Sequence, residues 1–403
     1  MKKIAKFGIA LILAALLTAC GAREGDYPDY EDYVEITTPA LPTPPLPTGT
    51  PPSPTPAPTT PAAETPAIAE ETDFTPTMPI AEEGFSLPVR RNTISAGYTL
   101  SAAIMADGGV YTWGGTYGEP TRTSENMAAI RAFTLWFWAL DHDGGLWGFS
   151  QHDGEKFAIA EEIADISGDG IIAKNGNLRN SPPMPPITQF MFSIHTEFLW
   201  QLRANHIIDM AEFGEQRLFL SHDNSLWGAG LNLPGIVHEE LHGFHREMVH
   251  IMDDVAQISA GSNHLLILMT DGRLYTWGAN HRGQLGIGNF SPNSDSHHIL
   301  DNVAAIEAVA DSSFAITTAG ALYAWGANNY GQLGNGEVAL RQTTPVPIMQ
   351  GIAAVSAGYS HTLALSTTGR LYAWGDNEFG QLGNNTTQSR PYPVFVMDGV
   401  ELP

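Results

Sequence analysis

One stretch of the chain has the residue types and spacing of a known reaction centre. His238-Glu239-Glu240-Leu241-His242 matches HExxH. On a helix its two histidines would share a face and could hold zinc, with Glu239 as general base. His245 and His250 lie nearby, and Val237, Leu241, Phe244, Met248 and Ile251 follow a helical spacing. Gly243 interrupts that helix, however, and the repeat register described below assigns the segment to a loop that leads into a strand. The expectation is a solvated His-rich loop. A zinc hydrolase or an adventitious surface metal site using His238 and His242 is the alternative. His264 and His361 occupy one repeat position and read as structural histidines with satisfied hydrogen bonds. No Ser/His/Asp motif and no phosphate-binding loop stands in a recognisable context, because the Gly-rich loops follow strands and open no helix. Catalytic residues and cofactors are therefore not expected.

The elements that would position any site are repeats. LYTWGANHRGQLG (274–286), LYAWGANNYGQLG (322–334) and LYAWGDNEFGQLG (371–383) are nearly identical. A register without gaps starts at Ile94, Ile130, Met210, Ile258, Ile306 and Val355. Fourteen residues on lie Gly108, Gly144, Asn224, Gly272, Gly320 and Gly369, all tolerant of the positive φ that a tight hairpin turn needs. Seventeen on lie Tyr111, Trp147, Trp227, Tyr275, Tyr323 and Tyr372. A seventh start at Ile166 fits only with a deletion, so the third unit, about 166–209, is degenerate. Each unit reads as three or four short antiparallel strands, such as the apolar run Leu265–Met269 and the strand Leu274–Trp277, with a last strand near Pro345–Met349. Such a unit cannot bury both faces alone, so copies must stack. Small residues near the starts (Ala96, Ala132, Gly168, Ala260, Ala308, Ala357) suit first strands crowded around an axis, although Glu212 breaks the pattern. The fold class expected is an all-β, seven-bladed β-propeller over 85–403.

At 355–383 the chain reads VSAGYSHTLALSTTGRLYAWGDNEFGQLG. This resembles the repeat of the regulator-of-chromosome-condensation family. The resemblance covers about 85–403, most specifically the last three units, and implies a seven-bladed propeller. The family's eukaryotic founder is a guanine-nucleotide exchange factor that binds chromatin. Exported bacterial members, which bind another protein with one propeller face, are the closer analogy.

That analogy comes from the N-terminus. Lys2, Lys3 and Lys6 precede an apolar run from Phe7 to Ala19, which ends in Leu17-Thr18-Ala19-Cys20 with the one cysteine of the chain. The run is short for a membrane span but suits a signal peptide. It resembles the lipobox of bacterial lipoproteins, which implies cleavage after residue 19 and a lipid (palmitate-type) anchor on Cys20. Residues 20–84 read as an acidic, then Pro/Thr-rich, disordered linker, since 14 of the 28 prolines fall between Pro39 and Pro79. The expected domains are thus 1–19, 20–84 and 85–403. The expected address is the extracytoplasmic side of a cell membrane.

The chain of 403 residues has 19 Lys+Arg against 43 Asp+Glu, a formal charge of −24. Loss of the three leader lysines leaves 16 against 43, or −27. Such a surplus of carboxylates disfavours a nucleic-acid partner. The expected function is non-catalytic binding of a protein or peptide by a monomeric, surface-tethered propeller. An enzyme (the zinc hydrolase, or a glycan-active propeller) and a structural envelope spacer are the rivals. Within a blade, the turn between strands one and two and the loop between strands three and four share one end. The expected partner-binding residues there are Tyr98, Asn263, His281, Arg282, Asn329, Tyr330, Tyr359, Glu378 and Phe379, with Ser262, Asn280, Asn328, Ser360 and Asn377 beside them. The pairs HR, NY and EF vary between nearly fixed flanks. Fixed flanks serve turn geometry, and free positions can tune a binding surface.

Overall fold

The computed structural model describes residues 92–403, except 116, 134–135, 151–155, 167–170, 176–177, 180–206, 214–215, 232–243 and 292. Cys20, the linker, Gly168, His238 and His242 lie outside the described residues. Among the described residues every regular element is a β-strand. The strands form seven sheets in sequence order, covering 94–125, 127–160, 163–179, 207–252, 255–300, 303–349 and 352–397. Six have four antiparallel strands each. The third, where the degenerate unit was expected, has three short described strands, Ile163–Asp165, Ile171–Ala173 and Leu178–Arg179.

The repeat register is realised at the hairpin turns. Gly108, Gly144, Asn224, Gly272, Gly320 and Gly369 all have positive φ, between 67° and 90°. The second strands are apolar and buried on both faces, as in His264–Met269 and His361–Ser366. The outer strands Arg341–Met349 and Arg390–Met397 carry Pro345, Pro347, Pro391 and Pro393, which suits an edge that must not pair further.

The core is a series of layers between sheets. Leu100 and Ile104 pack with Ile130 and Phe137, joining blades 1 and 2. Ile172 packs with Met210 and Phe219, joining sheet 3 to blade 4. The last layer sets Leu363 and Leu365 of blade 7 against Ile94 and Trp113 of blade 1, which closes the ring. Backbone pairing seals the same joint. Met105 bridges Val400, Ala106 N donates to Gly399 O and Glu401 N to Ile104 O, both at 2.8 Å. Val400 thereby fills the place that Val255 or Ile352 holds at the head of an inner strand.

Candidate binding face

The first strands surround a central channel of about 750 Å³, lined by the small residues Ala96, Ala132, Ala260, Ala308 and Ala357, as expected. Neighbouring inner strands are linked around it. Ser95 Oγ accepts from Ala132 N at 2.9 Å, Ser259 Oγ from Ala308 N at 2.8 Å and Ser356 Oγ from Ala96 N at 3.1 Å. At the same position in blade 6 stands Glu307, whose carboxylate takes the amide of Ala357. Burial, with the nearby Asp209 charge adding to it, pushes the Glu307 carboxyl up to about 7, while Arg131 and the Ala357 amide oppose the rise. Glu212 is ion-paired with Arg217 at 2.8 Å.

At one end of the ring the loops between strands three and four rest on the first turns. Ala279 N donates to Asn263 O at 2.7 Å, Ala327 N to Asp311 O at 2.9 Å and Asp376 N to Ser360 O at 2.9 Å. The fixed flanks of these loops have internal duties. Asn280, Asn328 and Asn377 are buried, and their Oδ1 atoms accept from Leu285 N, Leu333 N and Leu382 N at 3.1, 3.1 and 2.9 Å. Ser360 is buried as well, with Oγ 3.3 Å from Asp376 Oδ2. These four polar residues, expected on the binding face, are loop framework. An Asn or Ser inside a tight turn satisfies backbone groups before it can meet a ligand.

The glutamine of each GQLG works in two directions. Its Oε1 accepts the amide of the second variable residue, from Arg282 N, Tyr330 N and Phe379 N at 2.8, 2.9 and 2.9 Å. Its backbone carbonyl reaches the next blade. Gln284 O accepts from Ser313 Oγ and Trp325 Nε1, both at 2.9 Å. Gln332 O accepts from Thr362 Oγ1 and Trp374 Nε1, both at 2.8 Å. Gln381 O closes the ring on Ser101 Oγ and Trp113 Nε1 at 2.8 and 2.9 Å. His264 and His361 belong to these clasps, with Nε2 2.8 Å from Ser313 Oγ and Ser101 Oγ respectively. Burial drives their pKa values down to about 3 and about 4, so both rings are neutral.

The variable side chains are left outside this framework. Tyr330 and Phe379 are 45% and 46% exposed, although their backbones are pinned. His281, Asn329 and Glu378 are exposed and Arg282 is half-buried. Asn263 and Ser262 are exposed in the first turn of blade 5. Tyr98 and Tyr359, from blades 1 and 7, stack with ring centroids 5.1 Å apart at the channel mouth. The same loops present Phe290, Val338 and Leu340, all exposed, with the Arg341 guanidinium 3.8 Å from the Phe290 ring centroid. Sequence reasoning missed these three because they follow GQLG, outside the compared motif. It also missed the channel charges Arg131, Asp209 and Glu307. For Arg131 and Glu307 the available signal was a charged residue one place after a start, where Ser recurs; Asp209, one place before its start, had none.

The HExxH motif at 238–242 lies outside the described residues, and the chain that follows it is a strand. Phe244–Met252 pairs with Leu226–Leu231, which removes Phe244, Met248 and Ile251 from any helix. His250 Nε2 lies 2.8 Å from Asp253 Oδ1, and its ring meets the Trp227 edge.

Family models of the regulator of chromosome condensation (RCC1) repeat match residues 255–284, 303–332 and 352–381, and a second model of the same repeat matches 271–299, 319–365 and 368–401. Among solved structures, human WBSCR16 is 16% identical with a TM-score of 0.43, covering 78% of this chain and 83% of that one. Prp20p from Saccharomyces cerevisiae, described with its binding to Gsp1p and histones, is 18% identical with a TM-score of 0.44, covering 76% of each chain. The ectodomain of the Physcomitrella patens receptor kinase CR4 is 13% identical with a TM-score of 0.42, covering 70% and 72%.

Proposed function

Because residues 255–401 carry repeats of the regulator-of-chromosome-condensation family, we propose that the chain is a non-catalytic binding module. It recognises a protein or peptide with the loop face of its propeller and is held on the outer side of a cell membrane by a lipid on Cys20. One observation carries the binding reading. Gln284, Gln332 and Gln381 pin the backbones of Arg282, Tyr330 and Phe379 while their side chains project. Such a frame accepts any side chain at the variable position without refolding the loop. Large aromatic residues fixed in this way are the type enriched at interface hot spots. Asn92 lies at the opposite end of the inner strand from the first turn.

The test is affinity capture from a cell-envelope extract with the detergent-solubilised full chain. A partner retained by the wild type and lost with Tyr330→Ala and Phe379→Ala supports the reading. Equal capture by both variants overturns it. The anchor is tested separately, by fractionating cells that express Cys20→Ser. Release from the membrane is expected, and unchanged retention removes the lipid from the account.

A further inference from the structure

Arg341 is held in place for a partner that the folded chain does not supply. The chain carries 43 acidic side chains against 19 Lys+Arg, so an arginine has carboxylates to choose from. Arg122, Arg217, Arg273 and Arg370 each meet one, on Glu125, Glu212, Asp271 and Asp398, at 3.4, 2.8, 2.7 and 3.0 Å. The Arg341 guanidinium instead lies 3.8 Å from the centroid of the Phe290 ring, and its Nη1 donates to His281 O at 2.9 Å. Among the described residues it makes no other hydrogen bond and meets no carboxylate. Phe290 and His281 belong to the loop between the third and fourth strands of blade 5, whereas Arg341 opens the outer strand of blade 6. The guanidinium thus bridges two blades.

Its Nε and Nη2 donors, on the edge away from Nη1, remain for a ligand. That fork matches the two oxygens of a carboxylate. A guanidinium already stacked and anchored loses little freedom on binding one. The setting is apolar, since Phe290, Val338 and Leu340 are 42%, 64% and 60% exposed. Asn328 draws this segment onto its own loop, with its backbone N donating to Leu340 O at 3.4 Å and Nδ2 to Glu337 O at 3.0 Å. The guanidinium therefore adjoins the loop that presents Tyr330. Asp311, in the first turn of blade 6, is already served. Arg282 and His281 stand beside it, and its Oδ1 accepts from Gln284 Nε2 at 3.2 Å.

We propose that Arg341, on its Phe290 platform, is a clamp for an acidic side chain, and that the partner of the loop face presents a glutamate or aspartate flanked by apolar residues. This rests on the peptide-binding reading above and adds the chemistry of the partner. One fixed cation among exposed apolar side chains calls for one carboxylate in an apolar setting. A chain of uronic acids brings the carboxylate with hydroxyl groups around it, which cannot cover Val338 and Leu340. Nucleic acid needs many cations rather than one. Because the chain as a whole is acidic, the attraction is short-ranged and acts at contact rather than by steering.

The experiment is selection of a phage-displayed random peptide library on the immobilised, detergent-solubilised full chain, followed by calorimetric titration with the tightest peptide recovered. Recovered peptides should share an Asp or Glu beside apolar residues. Replacing that acid by its amide should cost at least about tenfold in affinity, and Arg341→Gln should cost the same. Arg341→Lys should restore little, because an ammonium has no fork. Phe290→Ala, at an exposed site, should weaken binding severalfold without moving the thermal midpoint, and it serves if the Arg341 variants prove unstable. Peptides recovered without an acid, an acid preference that survives Arg341→Gln in the folded protein, full affinity in Arg341→Lys, or tighter binding of polygalacturonate than of any recovered peptide would overturn the proposal. If the peptides still lose affinity with Tyr330→Ala and Phe379→Ala in any of those cases, the clamp alone fails. If the library yields no peptide that depends on Arg341, Tyr330 or Phe379, the binding function fails with it.

Discussion

Ser313 and His264, in adjacent blades, hold one another through a 2.8 Å contact between Oγ and Nε2. The serine hydroxyl already donates to Gln284 O. The ring must therefore donate from Nε2, which leaves Nδ1 an acceptor. That atom is buried without a partner, against Gly261. Protonation would put a second N–H where nothing can receive it. His361 repeats the arrangement with Ser101 and Gln381.

Acid should therefore loosen the ring. The folded pKa values of about 3 and about 4 lie below the ordinary 6.5. The neutral-histidine contribution is complete above about pH 6.5 and is lost as pH falls toward 4. Each buried ring removes about 1.4 kcal/mol per pH unit in that window. Glu307 acts in the opposite sense, since its raised pKa costs stability as pH rises from about 4.5 to 7. Denaturant unfolding at pH 7 and pH 5 should show a net loss in acid. His264→Gln/His361→Gln, whose amides can still donate to the serines, should reverse the sign of that difference. A loss undiminished in the double variant would assign the acid sensitivity to other groups.

Two glycines of one loop separate steric from conformational cost. Gly334 and Gly336 both have positive φ, 80° and 88°. A Cβ on Gly334 would sit 2.6 Å from Trp374 Nε1, whereas nothing lies within 4 Å of one on Gly336. Gly336→Ala should cost about 1 kcal/mol, from the left-handed backbone alone. Gly334→Ala should cost at least about 2 kcal/mol more, because the clasp tryptophan must move. Similar unfolding midpoints for the two variants would mean that the Trp374 contact is slack.

At the binding face, Tyr330→Ala and Phe379→Ala should each weaken a captured partner by roughly 1–3 kcal/mol. Both side chains are nearly half exposed, so the thermal midpoint should stay within about a degree of the wild type. Loss of binding that tracks loss of fold would return these aromatics to a packing role.

Closure of the ring depends on Val400, which is buried at 3% exposure, whereas Leu402 two residues on is 44% exposed. Val400→Ala should cost roughly 2 kcal/mol. Leu402→Ala should change stability by less than about 0.5 kcal/mol. Equal effects would show that the bridge to Met105 contributes little.

Much of this architecture could be read from the chain because a turn that needs positive φ narrows the choice of residue. Gly108 through Gly369 mark six hairpins, and all six are there. The free positions 281–282, 329–330 and 378–379 were equally legible, since variation between invariant flanks separates surface from frame. The duties of the flanks were not. Asn280 and Gln284 look like ordinary surface polar residues in sequence, and only the folded loop shows which backbone groups they satisfy. The clasps join one repeat to the next, and a comparison that superimposes the repeats hides what connects them. The channel charges come from three blades, so no local motif announces that they meet.

The GQLG clasps also divide the ring unequally. They span the joints from blade 5 to 6, 6 to 7 and 7 to 1. Blade 2 has Phe149 where a clasp tryptophan would stand, and the loop after blade 1 has no glutamine to receive one. Opening should then begin at the joint between blades 1 and 2, while blades 5, 6, 7 and 1 stay together as one slower cooperative unit. Tyr98, Tyr330, Tyr359 and Phe379 all sit on that slower arc. A molecule with its ring already parted could still present an intact recognition surface, so the lifetime of binding and the lifetime of the closed ring are separate quantities.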